Sequence, residues 1–230
     1  MKLVVRLAFV IVLGSAVTPV FAQPEIRDAA DQRVAAYLEK MRGQWRDMNV
    51  PEADGRALYD IIVKNRYKSA LEVGTSTGHS GIWMAWALCK TGGKLIIIEI
   101  EESRYKQALA NFKEAGLSDV IDARLADAHE LVEKLPGPFD FFFIDADKDW
   151  YTNYARAVIP KVMPGGCIAA HNVYRQRPER GFRLRGTAEY YEYMLTLPDF
   201  ESSLVADSPA GLAVSYKKGM RTPQRAASPV

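Results

Sequence analysis

The sequence predicts an α/β fold in which a mostly parallel sheet carries helices on both faces and ends in an antiparallel hairpin. Three observations predict it. Short apolar runs at 70–73, 95–98 and 141–144 alternate with segments whose apolar residues fall at helical spacing, and strands that alternate with helices pair in parallel through crossover connections. The run Phe139-Asp140-Phe141-Phe142-Phe143-Ile144 is apolar at nearly every position, as expected of a strand covered on both faces. The last two apolar runs, 200–205 and 212–216, are joined only by Ala206-Asp207-Ser208-Pro209-Ala210-Gly211, a turn-rich stretch that suits a hairpin.

In chain order, Lys2 and Arg6 precede an apolar stretch from Leu7 to Val17, and Val20-Phe21-Ala22 offers a small-residue cleavage site. An apolar core of about ten residues suits a secretory signal segment and falls short of the roughly twenty needed to span a membrane. The expected mature chain starts at Gln23 and is exported, to a periplasm or the medium; left uncleaved, residues 1–22 would be a membrane anchor. Residues 23–220 form one domain, and the Pro-, Ser- and Arg-rich stretch 221–230 reads as a flexible tail. Without Lys2 and Arg6 the 30 basic residues become 28, level with 28 acidic ones. A neutral chain gives no argument for nucleic acid or for an anionic membrane as partner. Cys89 and Cys167 each lie inside an apolar segment without disulfide-framework spacing, and both are expected to be buried free thiols.

Two leading helices follow from Val34, Leu38, Met41, Trp45 and Met48, and from Leu58, Ile61 and Ile62. Further helices follow from Tyr105, Ala108, Leu109 and Phe112, and from Tyr151, Tyr154, Ala155 and Val158. In such a sheet, ligands meet the carboxyl ends of the strands. The first run ends in Leu71-Glu72-Val73-Gly74-Thr75-Ser76-Thr77-Gly78-His79-Ser80, a glycine turn feeding a helix near His79. Its spacing is not the G-x-G-x-x-G that brings backbone against a pyrophosphate, and Glu72 adds a carboxylate that suits an ammonium group better than a phosphate. The second run ends at Glu99, where a carboxylate can accept both hydroxyls of a ribose. The third strand region ends at Asp127-Ala128, placed to meet an adenine edge. The fourth ends in Asp145-Ala146-Asp147-Lys148 and the fifth, Gly165 to Ala170, in His171-Asn172. With these two strands as neighbours, Asp145, His171 and Asn172 converge at one rim with donors able to ligate a divalent cation, and Lys148 stands beside them as a candidate base. His79 and His129 fall on the nucleoside side and are not expected to be ligands.

The order of Met48-Asn49-Val50, the glycine turn, Ile98-Glu99, Asp127-Ala128, Phe139 to Lys148 and Pro164 to Val173 resembles the cation-dependent catechol and caffeoyl-CoA O-methyltransferases, over nearly all of the chain after residue 22. The resemblance implies a Rossmann-like methyltransferase fold and S-adenosylmethionine as methyl donor. It further implies Val50, Glu72, Gly74, Thr75, Ser76, Gly78, Ser80, Glu99, Ile100, Asp127, Ala128 and Asp145 around that donor. It places Asp145, His171 and Asn172 on a divalent metal, Lys148, Asp145 and Asn172 in catalysis, and the chain in a homodimer through its leading helices. A metal so held would lower the pKa of one of two adjacent acceptor hydroxyls, Lys148 would help take the proton, and the oxygen would attack the sulfonium methyl in line.

One position departs from the family pattern, which has Asp where this chain has His171. Imidazole favours Mn, Fe, Zn or Ni over Mg, so either the metal preference has shifted or the metal is lost and His171 is a structural or general-base residue. The catechol-specific carboxylate before the last strand is also missing, with Leu204 near its place. Arg175, Arg177, Arg180, Arg183 and Arg185 crowd one loop, either as a receptor for an anionic acceptor or as a solvated basic loop. Two other classes stay open: an exported, catalytically degenerate module that binds the donor or a partner on the same scaffold, and a nicotinamide oxidoreductase, for which G-x-G-x-x-G and Tyr-x-x-x-Lys are missing.

Overall fold

A computed structural model describes residues 24–174 and 185–219. Helices α1 (Ala29–Lys40) and α2 (Glu52–Asn65) lead into β1 (Ser69–Val73), α3 (His79–Thr91), β2 (Lys94–Glu99), α4 (Glu102–Ala115), β3 (Ile121–Leu125), α5 (Ala128–Lys134) and β4 (Phe139–Ile144). Then come α6 (Tyr151–Val158), β5 (Val162–His171), α7 (Arg185–Thr196), β6 (Phe200–Leu204) and β7 (Leu212–Lys217). The strands form one sheet in the order β3-β2-β1-β4-β5-β7-β6. The first five are parallel, and β7 runs antiparallel to both β5 and β6. The α/β class, the covered parallel strands and the C-terminal hairpin are as the sequence predicts. Strand order reverses between β1 and β4, which opens a crevice at their carboxyl ends.

Two cores sandwich the sheet. Residues of α1 to α4 pack with Ile97, Phe141, Phe143 and Ala169 on one face, and residues of α5 to α7 pack with Val73, Phe142, Ile144 and Ala170 on the other. Alternation along β4 sends its aromatic rings to both layers, so each of its six residues is buried.

The first helix is shorter than its apolar spacing suggests. Its cap is Met41, Gly43 turns the chain at φ +74°, and Pro51 starts α2. Trp45 and Met48 therefore lie in the connection, where Trp45 stacks on His79 with ring centroids 4.5 Å apart. Helix α7 is not foreshadowed by any of the apolar patterns, since its buried stripe is Gly186, Thr187, Tyr190 and Met194, only two of which are large. Cys167 is buried but Cys89 is exposed; it falls on the outer side of the last turn of α3, which corrects the expectation for that thiol. The signal segment, the tail from 221 and Arg175 to Arg183 lie outside the described residues. Arg185 opens α7 and pairs with Glu189 at 2.8 Å.

Helix α1 is anchored through Asp31, 2% exposed. Its carboxylate accepts from Trp86 Nε1 at 2.8 Å and from the Arg27 amide at 2.7 Å, and pairs with Lys90. Burial alone would raise its pKa; Lys90, Trp86 and the Arg27 amide outweigh burial and hold it at about 2, against the ordinary 3.8. Because the folded value lies below the unfolded one, the contribution is complete above the ordinary value and lost as pH falls toward the folded one. Asp31→Asn is expected to lower stability by about 3 kcal/mol at neutral pH, since it leaves the buried Lys90 uncompensated. Urea unfolding of both proteins should show that difference shrinking as pH falls from 5 to 2.

Candidate active site

Register places the strand ends level. Val73 pairs with Ile98 on one side and Ile144 on the other, and Ile144 pairs with Ala170, so Glu99 and His171, which end β2 and β5, stand level with Gly74 and Asp145, which follow β1 and β4. Gly74 has φ +81°, and a Cβ there would lie 2.3 Å from the Asp145 carbonyl oxygen. Only glycine lets the two chain ends pass this closely. Gly78 (φ +97°) packs against Phe112, 2.7 Å from where its Cβ would be.

Glu72 lies beneath this turn rather than open to the crevice. It is fully buried, and its two oxygens accept from Thr75 Oγ1 at 2.7 Å and Ser80 Oγ at 2.5 Å. Burial pushes its pKa up to about 8 against the pull of these donors. Its direct contribution is therefore to hold the turn. Glu99 accepts from the amides of Ser76, Ile100 and Glu101 at 2.8, 3.0 and 2.9 Å, while the Ile100 side chain is exposed.

The Met48–Val50 segment is pinned over the turn. Asn49 donates to Thr77 Oγ1 at 2.8 Å, His79 Nδ1 donates to the Val50 carbonyl at 2.8 Å, and His79 Nε2 accepts from Trp83 at 3.0 Å. Burial lowers the His79 pKa to about 4, which matches a neutral ring with one donor and one acceptor. On the far side, Asp127 caps α5 by accepting from the His129 amide at 2.8 Å. Ala128 is buried beside it, and the His129 ring lies 4.0 Å from Trp150. An acidic rim with a backbone turn and a ring cluster at one end fits a cationic nucleoside donor. A separate cavity of about 680 Å³ lies among Trp45, His79, Trp83 and Trp86, and none of Glu99, Asp145, Lys148 and His171 lines it.

At the other end, Asp145 Oδ1 accepts from Lys148 Nζ at 2.5 Å, and Lys148 also donates to the Tyr151 hydroxyl at 2.9 Å. His171, on β5, stands between two carboxylates: Nδ1 is 3.2 Å from Asp145 Oδ2 and Nε2 is 2.9 Å from Asp54 Oδ2. Burial opposes charge on the imidazole, but the two carboxylates raise its pKa to about 9. Burial likewise opposes charge on Asp145, and His171 and Lys148 outweigh it, holding that carboxyl below its usual range. Burial pushes the Tyr151 hydroxyl well above 10. Asn172 turns at φ +57° toward the 205–212 connection, where its Nδ2 reaches the Ala210 carbonyl at 3.4 Å.

The structure thus brings Asp145, Lys148 and His171 together, as the sequence suggests, but not as a metal centre. Both imidazole nitrogens face carboxylates, and with Asp54 and Asp145 ionised the ring carries hydrogen on both and offers a metal no lone pair. Among the described residues no group of three or more His, Cys, Asp or Glu is arranged to hold a metal ion. So protonated, His171 does not fit the ligand role expected of it beside Asp145 and Asn172.

Residues 29–197 match the family model described as O-methyltransferase. The chain belongs to the O-methyltransferase family. It is 43% identical to a catechol O-methyltransferase of Niastella koreensis over 132 residues, which cover 56% of this chain and 59% of that protein. It is 34% identical to caffeoyl-CoA O-methyltransferase 1 of Eucalyptus globulus over 133 residues, 56% of this chain and 54% of that one. The chain spans about half the length of these curated relatives. An O-methyltransferase of Bacillus cereus, solved in complex with SAH, superposes with a TM-score of 0.69 over 84% of this chain and 92% of that chain, at 24% identity, and shows the same O-methyltransferase fold. Within that fold, sequence reasoning missed Asp54 and the pinning role of His79. Asp54 sits in a helix whose other polar positions are equally acidic or basic, and nothing local signals a partner 117 residues away.

Proposed function

We propose that the protein transfers the methyl group of S-adenosylmethionine to a hydroxyl of a small, vicinal-dihydroxy aromatic acceptor. The observation that carries this reading is the level row of Glu99, the Gly74 turn and Asp145 across the β1/β4 crevice, with Lys148 at its open end. The names of the catechol and caffeoyl-CoA relatives and the SAH in the Bacillus cereus structure support the acceptor class and the donor. When bound, the donor supplies an electrophilic methyl on a sulfonium. The Gly74 turn and Glu99 orient it, with Asp145 at the sulfonium end, and the pinned Met48–Val50 segment closes over it. Lys148 meets the acceptor oxygen and, once its ammonium has released a proton to solvent, takes the oxygen's proton as the O–C bond forms and the C–S bond breaks. Holding the two reactants in line supplies much of the rate. The signal-like segment 1–22 supports export of the enzyme, and the family resemblance supports a homodimer.

The test incubates the full chain with S-adenosylmethionine and a panel of vicinal-dihydroxy aromatics and follows product by mass spectrometry. Methylated product is the expected result. Donor binding without product from any acceptor would leave a donor-binding module on this scaffold, and no donor binding would overturn the reading.

A further inference from the structure

A largely buried charged cluster links Asp54, His171, Asp145 and Lys148. Asp54 comes from α2, His171 from the end of β5, and Asp145 and Lys148 follow β4, so the cluster exists only in the folded sheet. Asp54 is fully buried, and its second oxygen, Oδ1, has no hydrogen-bond partner. Its contact with His171 Nε2 is therefore what compensates its charge. On the other side of the ring, Nδ1 faces Asp145 Oδ2 at 3.2 Å.

An ionised carboxylate only accepts hydrogen bonds. With Asp54 and Asp145 both ionised, the ring between them carries hydrogen on both nitrogens, the imidazolium form. The cluster holds two anions, Asp54 and Asp145, and two cations, His171 and Lys148, and sums to zero. An aspartate at 171 would leave the same cluster at −2, a charge that a divalent cation balances. With the imidazolium present there is neither a lone pair nor an uncompensated charge to attract one.

We propose that this site works without a divalent metal, the His171 ring clamped between Asp54 and Asp145 taking the metal's place as the fixed positive charge beside the acceptor rim. The inference rests on the reading of the site as one for O-methyl transfer. Asp54 is then a positioning residue, which sets the ring's orientation and charge and through it the placement of the Asp145 carboxylate that holds Lys148.

The test uses the full chain after exhaustive dialysis against a chelator. Methyl transfer to the acceptor panel is expected to continue undiminished and to gain nothing from added Mg²⁺, Mn²⁺ or Zn²⁺. Activity that falls at least about tenfold on chelation and returns with one of these metals would overturn the proposal. Two measurements do not depend on finding an acceptor, and separate failure here from failure of the methyl-transfer reading. Calorimetric titration with Mg²⁺ or Mn²⁺ alone should show no saturable binding tighter than about 1 mM in the wild type; saturable binding below that would overturn it. Nitrogen NMR of the wild-type protein should find both His171 ring nitrogens protonated at neutral pH and unmoved by these metals, with Asp54→Asn shifting the signal toward the neutral ring. A neutral His171 tautomer in the wild type is incompatible with the clamp.

Discussion

Gly74→Ala is expected to cost the protein both its donor site and a substantial part of its stability. The left-handed backbone at φ +81° costs a non-glycine residue about 1 kcal/mol. The larger effect is steric, because the new Cβ would meet the Asp145 carbonyl oxygen at 2.3 Å and the Ala146 Cα at 2.8 Å. Those are backbone atoms that no side-chain rotation can move, and overpacking of this kind adds about 1 to 3 kcal/mol. To relieve it, the ends of β1 and β4 must part, and the crevice between them is where the donor is proposed to lie. A loss of donor affinity of at least about tenfold should accompany the fall in unfolding midpoint, as misplacement by an ångström carries that scale of effect. Gly92→Ala is the control. Gly92 has φ +70° and nothing within 4 Å of an added Cβ, so it should lose only the backbone contribution and bind donor normally in an equilibrium titration.

Lys148→Met is expected to lower turnover by about 10² to 10⁴ while donor affinity stays at the wild-type value. The ammonium spans Asp145 and Tyr151 at the rim, and its side chain is 26% exposed, against 9% for Asp145. It is thus the group of the cluster that an incoming acceptor meets. Methionine keeps the apolar stem of the side chain but can neither carry a proton nor donate to the oxygen. Asp145 keeps His171 as partner in the variant, so the fold should survive. Lys148→Arg should restore little, since a guanidinium stays charged and cannot take the proton. Single-turnover rates set beside donor titrations separate the two effects, and an equal loss in both would assign Lys148 to donor binding instead.

Much of this fold was legible in one dimension because its determinants are local. Helical spacing of apolar residues, the apolar continuity of Phe139 to Ile144, the glycines that turn the chain after β1 and the acids at strand ends are all properties of neighbouring residues. Helix α7 was not legible because half of its buried stripe is Gly186 and Thr187, which carry no hydrophobic signal of their own. The extent of α1 was misjudged because Trp45 and Met48 continue the helical spacing past Gly43, and the choice between helix and connection fell to the stacking of Trp45 on His79.

The candidate site divides in the same way. Asp145, Lys148 and His171 were found from sequence because parallel neighbours deliver their next residues to one edge. What the sequence by itself determined is the sheet, its strand ends and the chemical types standing on them. Only the tertiary structure decided what those groups do to one another. It turned Glu72 beneath the turn and set Asp54 of α2 against the far side of the His171 ring. A ring nitrogen is a metal ligand or a hydrogen-bond donor according to what faces it. For His171 the facing carboxylate comes from a helix 117 residues away in the chain, brought there by packing of α2 on the sheet.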